Sequence, residues 1–380
     1  MFGGKTHQVA IDLADKLAEM IPMQDAMLSF GNSGSDANDT HIKLLRYYHE
    51  AIGKPECRKI IARERSYHGV TVAAASLTGL PVTQNHFDLP VDALGILRTD
   101  HPHYYRGKQG EESETEFVDR IVGNLENMIV REGPDTIAAF IAEPITGASG
   151  VIVPPAGYYQ KVQAVLNKYD IMFWADEVIT GFGRTGNDFG CTTMGIESPD
   201  MMTFAKQLSS AYMPISASAI RREMYDAMIE QSANAGAFGH GYTYSGHPVA
   251  CAVALKTLEI YTRDNIFEKA AVTGEYLQKR QAEFRDHPLV GEVRGMGLIG
   301  AIELVANKET GTPFVGGAVG GYAQKAAQDN GLLIRAVAGS SLGFCPPLII
   351  TNEQIDEMMA AVAIALDATL EHCKKENLLV

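Results

Sequence analysis

Before about residue 260, short apolar segments alternate with amphipathic helical patterns, and this alternation restricts the fold more than any other feature of the sequence. The apolar segments are rich in β-branched and aromatic residues, which favour strands. An order of strand, helix and strand predicts an α/β fold with a mostly parallel sheet covered by helices. The predicted strands cover residues 26–30, 59–62, 136–142, 171–175 and 201–205, and helical patterns cover 6–21, 36–52 and 158–169.

The pattern changes after about residue 260. A closing helix is predicted from Asn352, because Thr351 and Gln354 form a capping-box pair and an apolar stripe follows them. A chain of 380 residues is long enough for two domains, so we predict a large domain over 1–260 and a smaller α+β domain over 261–380. The remaining patterns are helical over 247–285, extended over 298–305 and 332–337, and glycine-rich over 316–321.

Charged residues follow three of the predicted strands at the point where each strand ends. These residues are Glu143, Asp176 and Lys206. In an open α/β sheet the ligand crevice lies beyond the carboxyl ends of the strands, so the three side chains are expected to share one site. The alternative for each residue alone is a solvated charge in a loop, and it stays open at this point.

A turn rich in glycine and serine joins the first predicted strand to a helix over residues 30–36. Its small residues Ser33, Gly34 and Ser35 would leave backbone N–H groups free at the helix N-terminus, which attracts anions such as phosphate. The alternative is an ordinary capped turn, since Ser33 and Asp36 have the spacing of a capping box.

One cofactor suits all of these groups. Pyridoxal phosphate needs an amine for its aldehyde, a carboxylate for its pyridine nitrogen and an anion site for its phosphate. Lys206, Asp176 and the turn at 33–35 offer these three groups, so the residues themselves favour a pyridoxal-phosphate site.

Composition argues against several other classes of function. Lysine and arginine number 32 against 46 acidic residues, and the net charge of −14 disfavours binding to nucleic acid and to anionic membranes. No apolar segment approaches the roughly 18 residues of a membrane span, and no signal peptide is recognised. The 5 cysteines lack CxxC spacing, and the two histidines at 101 and 103 lie in a loop-like stretch, so we predict no disulfide and no metal. A cytoplasmic location fits these features.

A GxGxxG string at 181–186 follows a predicted strand and matches the motif of dinucleotide-binding proteins. That motif requires its last glycine to begin a helix, but residues 187–191 show no apolar periodicity. We interpret the string as a loop beside the cofactor, with glycines for tight turns, and interpret the glycine cluster at 316–321 in the same way.

The sequence also contains six distinctive segments in this order: NSGSDANDT, SYHG, AEP, WADEVITGFGRTG, FAKQLSSAYMPISA and GYTYSGHP. With these segments, which span nearly the whole chain, it resembles the class III aminotransferases. Those are pyridoxal-phosphate enzymes of fold type I, the aspartate aminotransferase fold. The combination of HPHYYRG with AKQLSSAYMPISA is most similar to the omega-amine:pyruvate branch.

The resemblance implies a role for each residue that matches a family motif. Lys206 would bind the cofactor aldehyde covalently and Asp176 would pair with the pyridine nitrogen, so these two would be the catalytic residues. Arg335 matches a mobile arginine that binds the substrate carboxylate in bidentate fashion. Thr243 would reach the phosphate of the neighbouring subunit, which implies a homodimer or a dimer of dimers. The other cofactor-binding residues would be Ser33, Gly34, Ser35, Tyr67, His68, Glu143 and Val178.

The resemblance further implies a transaminase that moves an amino group from a primary amine or an omega-amino acid to an α-keto acid, expected to be pyruvate. The reaction would follow a ping-pong mechanism through pyridoxamine phosphate (PMP). Two alternatives stay open: an aminomutase or decarboxylating transaminase of the same fold, and a catalytically silent binding protein, against which Lys206 counts. Family members usually carry several dozen residues before the position of Met1, so we expect part of the small domain and of the substrate pocket to be missing from this chain.

Overall fold

The computed structural model describes residues 4–236 and 238–380, and these form two compact units. Most of the second unit is the continuous stretch Asn265–Val380. It also contains two short earlier segments, 145–153 and 183–187. Both segments fall within the predicted first domain, 1–260, so the second unit is not one continuous stretch of the chain. The first unit comprises the chain up to Pro144, Pro154–Phe182 and Asp188–Asp264.

The first unit contains a seven-stranded sheet. In chain order its strands are β1 (Met27–Gly31), β2 (Lys59–Arg63), β3 (Ile96–Thr99), β4 (Ile137–Ala142), β5 (Met172–Asp176), β6 (Met201–Phe204) and β7 (Ser216–Ile220). Across the sheet they lie in the order β1-β7-β6-β5-β4-β2-β3. Strands β2 to β6 pair in parallel, whereas β7 is antiparallel to β6 and β1. The mostly parallel sheet expected from the sequence is confirmed.

Two strands of this sheet, β3 and β7, are not among the predicted segments. Strand β7 has the sequence SASAI and is buried at every position. Its small residues lack the β-branched and aromatic signature of a strand, so their burial between β1 and β6 decides the conformation. By contrast β4, with the sequence IAAFIA, is also fully buried and reads as a continuous apolar run, as central parallel strands do.

Helices surround this sheet. The helices of the first unit are α1 (Gln8–Met20), α2 (Gly34–Ala51), α3 (Val72–Leu77), α4 (Tyr104–Gly107), α5 (Glu114–Glu132), α6 (Tyr158–Lys168), α7 (Gly190–Met194), α8 (Arg222–Ala235) and α9 (Pro248–Arg263). The three helical patterns predicted for this part correspond to α1, α2 and α6. The GxGxxG string forms turns, and α7 begins only at Gly190, so no helix starts at its last glycine.

The second unit contains an antiparallel sheet and three helices. Its strands are β8 (Val290–Met296), β9 (Ile299–Asn307), β10 (Thr312–Pro313), β11 (Arg335–Val337) and β12 (Ser341–Phe344), and its helices are α10 (Ile266–Ala282), α11 (Ala318–Asp329) and α12 (Asn352–Lys375). The sheet has the order β10-β9-β12-β11, and β8 also pairs with β9. None of the described helices is long and apolar enough to cross a membrane.

Three expectations for this part meet different outcomes. The closing helix begins at Asn352 with the predicted capping box, in which Thr351 Oγ1 accepts the Gln354 N–H, so that prediction is confirmed. The long stretch expected to be helical over 247–285 is helical but divided in two: Asn265 adopts φ 50°, a left-handed conformation that asparagine tolerates, and this separates α9 from α10. The cluster at 316–321 is not a simple loop, because α11 begins within it.

Candidate active site

The carboxyl ends of β4, β5 and β6 meet at a cavity of about 380 Å³ within the first unit. Glu143 follows β4, Asp176 ends β5, and Lys206 comes two residues after β6. All three line this cavity. The other walls come from the turn before α2, the segment at 67–69 and the loops that follow β5 and β6.

Lys206 has an unusual backbone conformation. Its φ angle is 42°, in the left-handed region that residues other than glycine rarely adopt, and Ser210 and Ala211 follow with φ angles of 49° and 62°. Such conformations cost on the order of 1–3 kcal/mol each and persist where the surrounding structure enforces them. Here β6 is buried throughout, and the Ala211 N–H donates to the Lys206 carbonyl at 3.1 Å. The sharp turn places Lys206 at the cavity wall instead of continuing the strand.

Asp176 is buried at the end of β5, and its carboxylate is held by hydrogen bonds. Oδ2 accepts from His68 Nδ1 at 2.8 Å and from Asn38 Nδ2 at 3.0 Å, and Oδ1 accepts from the Val178 N–H at 3.1 Å. Burial alone would raise the pKa of this carboxyl, but the imidazole and these hydrogen bonds bring the pKa below its ordinary value of 3.8. Asp176 is therefore a carboxylate at neutral pH, the form that pairs with a protonated ring nitrogen.

The N-terminus of α2 forms another wall of the cavity. Ser33 and Asp36 make the capping box: Ser33 Oγ accepts from the Asp36 N–H at 3.2 Å, and Asp36 Oδ1 accepts from the Ser33 N–H at 3.0 Å. The first N–H groups of a helix have no partner inside the helix, so Gly34 and Ser35 offer such donors at the cavity. Gly34 also packs against Val178, where a Cβ would come within 2.9 Å of Cγ2. The turn is thus both a helix cap and a cavity wall.

Glu143 ties the end of β4 to the segment that carries Tyr67. Its Oε1 accepts from the Tyr67 N–H at 2.9 Å. Its backbone carbonyl accepts from Arg63 Nη2 and from Tyr159 Oη, each at 2.6 Å. Glu143, Arg63 and Tyr159 are buried, whereas Tyr67 is half-buried and borders the cavity. These bonds hold Tyr67 in place at the wall of the cavity.

The structure brings most of the predicted site residues together. Those that line the Lys206 cavity are Ser33, Gly34, Ser35, Tyr67, His68, Glu143, Asp176, Val178 and Lys206. Thr243 instead is exposed at a different cavity of the first unit, of about 1230 Å³, which α1, β1, β7 and α8 also border. Arg335 begins β11 in the second unit, where it is exposed.

Sequence reasoning missed Asn38, which bonds directly to Asp176. Asn38 lies in the second turn of α2 and is fully buried, and its Nδ2 also donates to the His68 carbonyl at 2.6 Å. One feature of the sequence could have identified Asn38: it is an asparagine inside a predicted helix, close to the anion-binding turn. A buried amide at such a position needs a polar partner. Ser209 and residues 213–215, which line the same cavity, were also missed as site residues.

Comparison with known proteins identifies the family. Residues 1–366 match the family Aminotransferase class-III. The chain belongs to the class III aminotransferases. One relative of this aminotransferase, Gamma aminobutyrate transaminase 3, chloroplastic, from Solanum lycopersicum, is 48% identical over 370 residues, which are 97% of this chain and 70% of the relative.

Solved structures agree with this assignment. The omega transaminase from Pseudomonas jessenii in complex with PMP has a TM-score of 0.95 and 48% identity, and the match covers 97% of this chain and 81% of that chain. A structure described as a transaminase with L-ala has a TM-score of 0.95 and 50% identity, covering 98% of this chain and 87% of that chain. The fold class expected from the sequence is confirmed, and the chain is an enzyme, not a silent binding protein.

Class III aminotransferases use pyridoxal phosphate, and the residues of the Lys206 cavity fit that cofactor. Each oxygen of a carboxylate accepts about two hydrogen bonds. Among the described residues, Asp176 Oδ2 receives donors from His68 and Asn38 but Oδ1 receives only the Val178 N–H, so an acceptor position remains on Oδ1. A buried carboxylate with one position left is the partner that a protonated pyridine nitrogen needs.

Proposed function

We propose that this aminotransferase transfers the amino group of a primary amine or an omega-amino acid to pyruvate. The observation that carries the proposal is the meeting of Lys206, Asp176 and the N-terminus of α2 at one cavity. The names of similar proteins support the substrates: γ-aminobutyrate is an omega-amino acid, and L-alanine is the amino acid that pyruvate would yield.

In this proposal Lys206 acts twice. Its Nζ would hold the cofactor aldehyde in the resting enzyme, and once a substrate amine has replaced it, the released Nζ would take the proton from the substrate carbon that bears the amino group. Asp176 would keep a proton on the ring nitrogen, because its carboxylate form is the favoured one. The bound cofactor supplies a ring that accepts electrons from the substrate carbon that bears the amino group. Gly34 and Ser35 would bind the phosphate through the N-terminus of α2.

A half-reaction screen tests the proposal. The holoenzyme is mixed with γ-aminobutyrate, β-alanine or benzylamine in the absence of keto acid, and the visible absorption of the cofactor is followed; pyruvate is then added. We expect one equivalent of the amine to bleach the absorption and pyruvate to restore it with formation of alanine. An aminomutase would release product without any keto acid, and a decarboxylating enzyme would release carbon dioxide. Failure of every amine to bleach the cofactor would refute the proposal.

We also propose that Arg335 binds the substrate carboxylate. Replacing Arg335 with Gln should raise KM for pyruvate by about tenfold to a hundredfold, the size of a lost charged hydrogen bond. The half-reaction with benzylamine, which has no carboxylate, should keep its rate. The KM of Arg335→Lys for pyruvate should lie between those of the wild type and Arg335→Gln, because lysine keeps the positive charge but lacks the planar, bidentate guanidinium group. The exposed Arg285→Gln is the matched control. An unchanged KM for pyruvate in Arg335→Gln would exclude this role.

The functional unit in this proposal is a homodimer or a dimer of dimers in which Thr243 serves the neighbouring site. Its support is that Thr243 lies away from the Lys206 cavity of its own chain. Mixing the inactive Lys206→Ala with Thr243→Ala tests it. If Thr243 acts across the interface, one site of the mixed dimer has both native residues, and activity recovers. If Thr243 acts within its own chain, both sites stay defective. The cytoplasmic location stays a prediction.

A further inference from the structure

A buried chain of side-chain hydrogen bonds lies behind Asp176. Trp174 Nε1 donates to Thr203 Oγ1 at 2.8 Å, Thr203 Oγ1 donates to Asn38 Oδ1 at 2.8 Å, and Asn38 Nδ2 donates to Asp176 Oδ2 at 3.0 Å. The side chains of Trp174, Thr203 and Asn38 are 0% exposed. They come from β5, β6 and α2, so the chain joins two neighbouring strands to the helix that caps the cavity.

Trp174 sets the direction of this chain. An indole N–H is a donor only, so Thr203 Oγ1 must accept there and has its single proton left for Asn38. Asn38 must therefore turn Oδ1 toward Thr203 and its NH₂ toward Asp176, with the second proton of that NH₂ on the His68 carbonyl at 2.6 Å. A flipped amide would set its oxygen against two acceptors, Asp176 and the His68 carbonyl, and would leave the Thr203 proton without Oδ1.

The direction of these hydrogen bonds matters because it affects the protonation state of Asp176 and which of its oxygens is free to accept another hydrogen bond. Asn38 presents a hydrogen to Oδ2, and so does His68 in the tautomer that carries its proton on Nδ1. A proton on Oδ2 would point at these donors, so the neutral acid is disfavoured at that oxygen. The acceptor position that remains is on Oδ1, beside the Val178 N–H. The charge on the carboxylate and the oxygen that is free thus depend on the orientation of the Asn38 amide as well as on His68.

The titratable side chains that contact this series of hydrogen bonds do not take over its role in holding Asp176. The His41 ring is tilted by 58° against that of Trp174, with the ring centroids 5.0 Å apart, and its Nε2 donates to the Met202 carbonyl at 3.0 Å. Burial lowers the pKa of His41 to about 4, so it carries no charge at neutral pH. His68 contacts Asp176 directly but bonds to none of the three chain residues through its ring. The amide of Asn38 is therefore the link between Thr203 and the carboxylate.

We propose that Trp174, Thr203 and Asn38 are positioning residues that keep Asp176 a carboxylate with Oδ1 free for the ring nitrogen of the cofactor. This inference rests on the proposed pairing of Asp176 with that nitrogen. Its consequence is that the proton on the ring nitrogen depends on Thr203, although Thr203 is not among the residues that line the cavity.

The test uses holoenzyme loaded with pyridoxal phosphate carrying ¹⁵N in the ring, and ¹⁵N NMR follows the ring nitrogen against pH. Thr203→Val keeps the shape of the side chain but removes both its acceptor and its donor, so Asn38 Oδ1 loses its donor and the amide is held less firmly toward Asp176. We expect the ring nitrogen to lose its proton about one to two pH units lower than in the wild type, the equivalent of one charged hydrogen bond. Thr203→Ser, which keeps the hydroxyl, should restore the wild-type titration.

A second variant and a matched control distinguish the positioning role from the effect of a general loss of stability. Asn38→Leu keeps a similar shape but removes the NH₂ donor without adding a charge, and should lower the pH at which the ring nitrogen loses its proton at least as much as Thr203→Val. Thr369→Val makes the same substitution at another fully buried threonine, whose Oγ1 donates to the Ala365 carbonyl at 2.6 Å in α12. It should lower thermal stability but leave the ring titration unchanged.

The outcomes separate this inference from the proposed function. A wild-type titration in both Thr203→Val and Asn38→Leu, with Asp176→Asn shifted, would overturn the positioning role alone. A shift in Thr369→Val equal to that in Thr203→Val would also overturn it, because the effect would then follow stability. If the wild-type ring nitrogen is not protonated at neutral pH, the pairing with Asp176 fails, and the inference fails with it.

Discussion

Each unit of the aminotransferase has a cavity of similar size, about 380 Å³ at Lys206 and about 430 Å³ over residues 330–361. The first has buried polar walls: Asp176, His68 and Glu143 are each at most 3% exposed. Hydrogen bonds to Asp176 Oδ2 and Glu143 Oε1 compensate the loss of water at these oxygens and orient the two carboxylates.

The cavity of the second unit has different polar groups. Gln354, Glu357 and Cys345 line it, and all three are exposed. Gln354 is already used in the capping box of α12. Burial does not orient exposed side chains of this kind. The comparison shows that an active site is marked by buried and oriented polar groups more than by volume, and the following predictions test it.

The largest effect is expected for Lys206→Ala. Removing the amine takes away the covalent attachment and the base, so turnover with γ-aminobutyrate and pyruvate should fall at least about a thousandfold. The matched control is Lys325→Ala, an exposed lysine of α11 in the second unit, which should retain wild-type turnover. A Lys206→Ala enzyme with normal turnover would contradict the assignment.

The next effect is expected for Asp176→Asn, which keeps the shape of the side chain and removes its charge. Steady-state kinetics should show kcat/KM lowered about a hundredfold or more, because the ring nitrogen loses its partner. Asp200→Asn is the control: Asp200 is also largely buried, accepts from the Phe173 N–H at 2.7 Å and pairs with Arg221, but it does not border the cavity. Equal losses in both variants would indicate a structural effect.

Stability should depend on pH through the same residue. The pKa of Asp176 in the folded protein lies below 3.8, so its carboxylate stabilises the fold above about pH 4 and this contribution disappears as the pH falls through the folded-state pKa. In urea unfolding without cofactor, Asp176→Asn should be about 1–3 kcal/mol less stable than wild type at neutral pH, and the difference should shrink below pH 4. A difference that is constant with pH would contradict this account.

A smaller effect is expected for Gly34→Ala. Its Cβ would come within 2.9 Å of Val178, so Val178 must shift and the affinity for pyridoxal phosphate should fall about tenfold. Equilibrium dialysis measures the affinity. The control is Gly123→Ala in α5, where no atom lies within 4 Å of the added Cβ, and which should gain about 0.5–1 kcal/mol of stability. Unchanged cofactor affinity in Gly34→Ala would argue against a cofactor at this wall.

The smallest effect is expected in the cavity of the second unit. Cys345→Ala changes an exposed side chain there and should alter stability by no more than about 0.5 kcal/mol, with cofactor affinity unchanged. Thermal unfolding and equilibrium dialysis measure the two quantities. A loss of affinity as large as that of Gly34→Ala would remove the distinction between the two cavities.

Local patterns predicted a large part of the fold. Apolar runs located β4 and β5, and capping-box pairs located the starts of α2 and α12, because these signals involve residues close in sequence. The missed strand β7 consists of small residues and owes its conformation to its neighbours in the sheet. The break at Asn265 was missed because a single left-handed residue does not interrupt a helical apolar pattern.

The sequence by itself determined which polar residue ends each central strand and which turn precedes α2, since both depend on the order of residues along the chain. Only the tertiary structure decided that Asn38 and His68 meet Asp176, from which they are separated by 138 and 108 positions. The physical reason is that such contacts follow from the order of the strands and from the packing of α2 against the sheet. Neither is contained in a pattern of neighbouring residues, so the partners that hold the carboxylate emerge only when the chain folds.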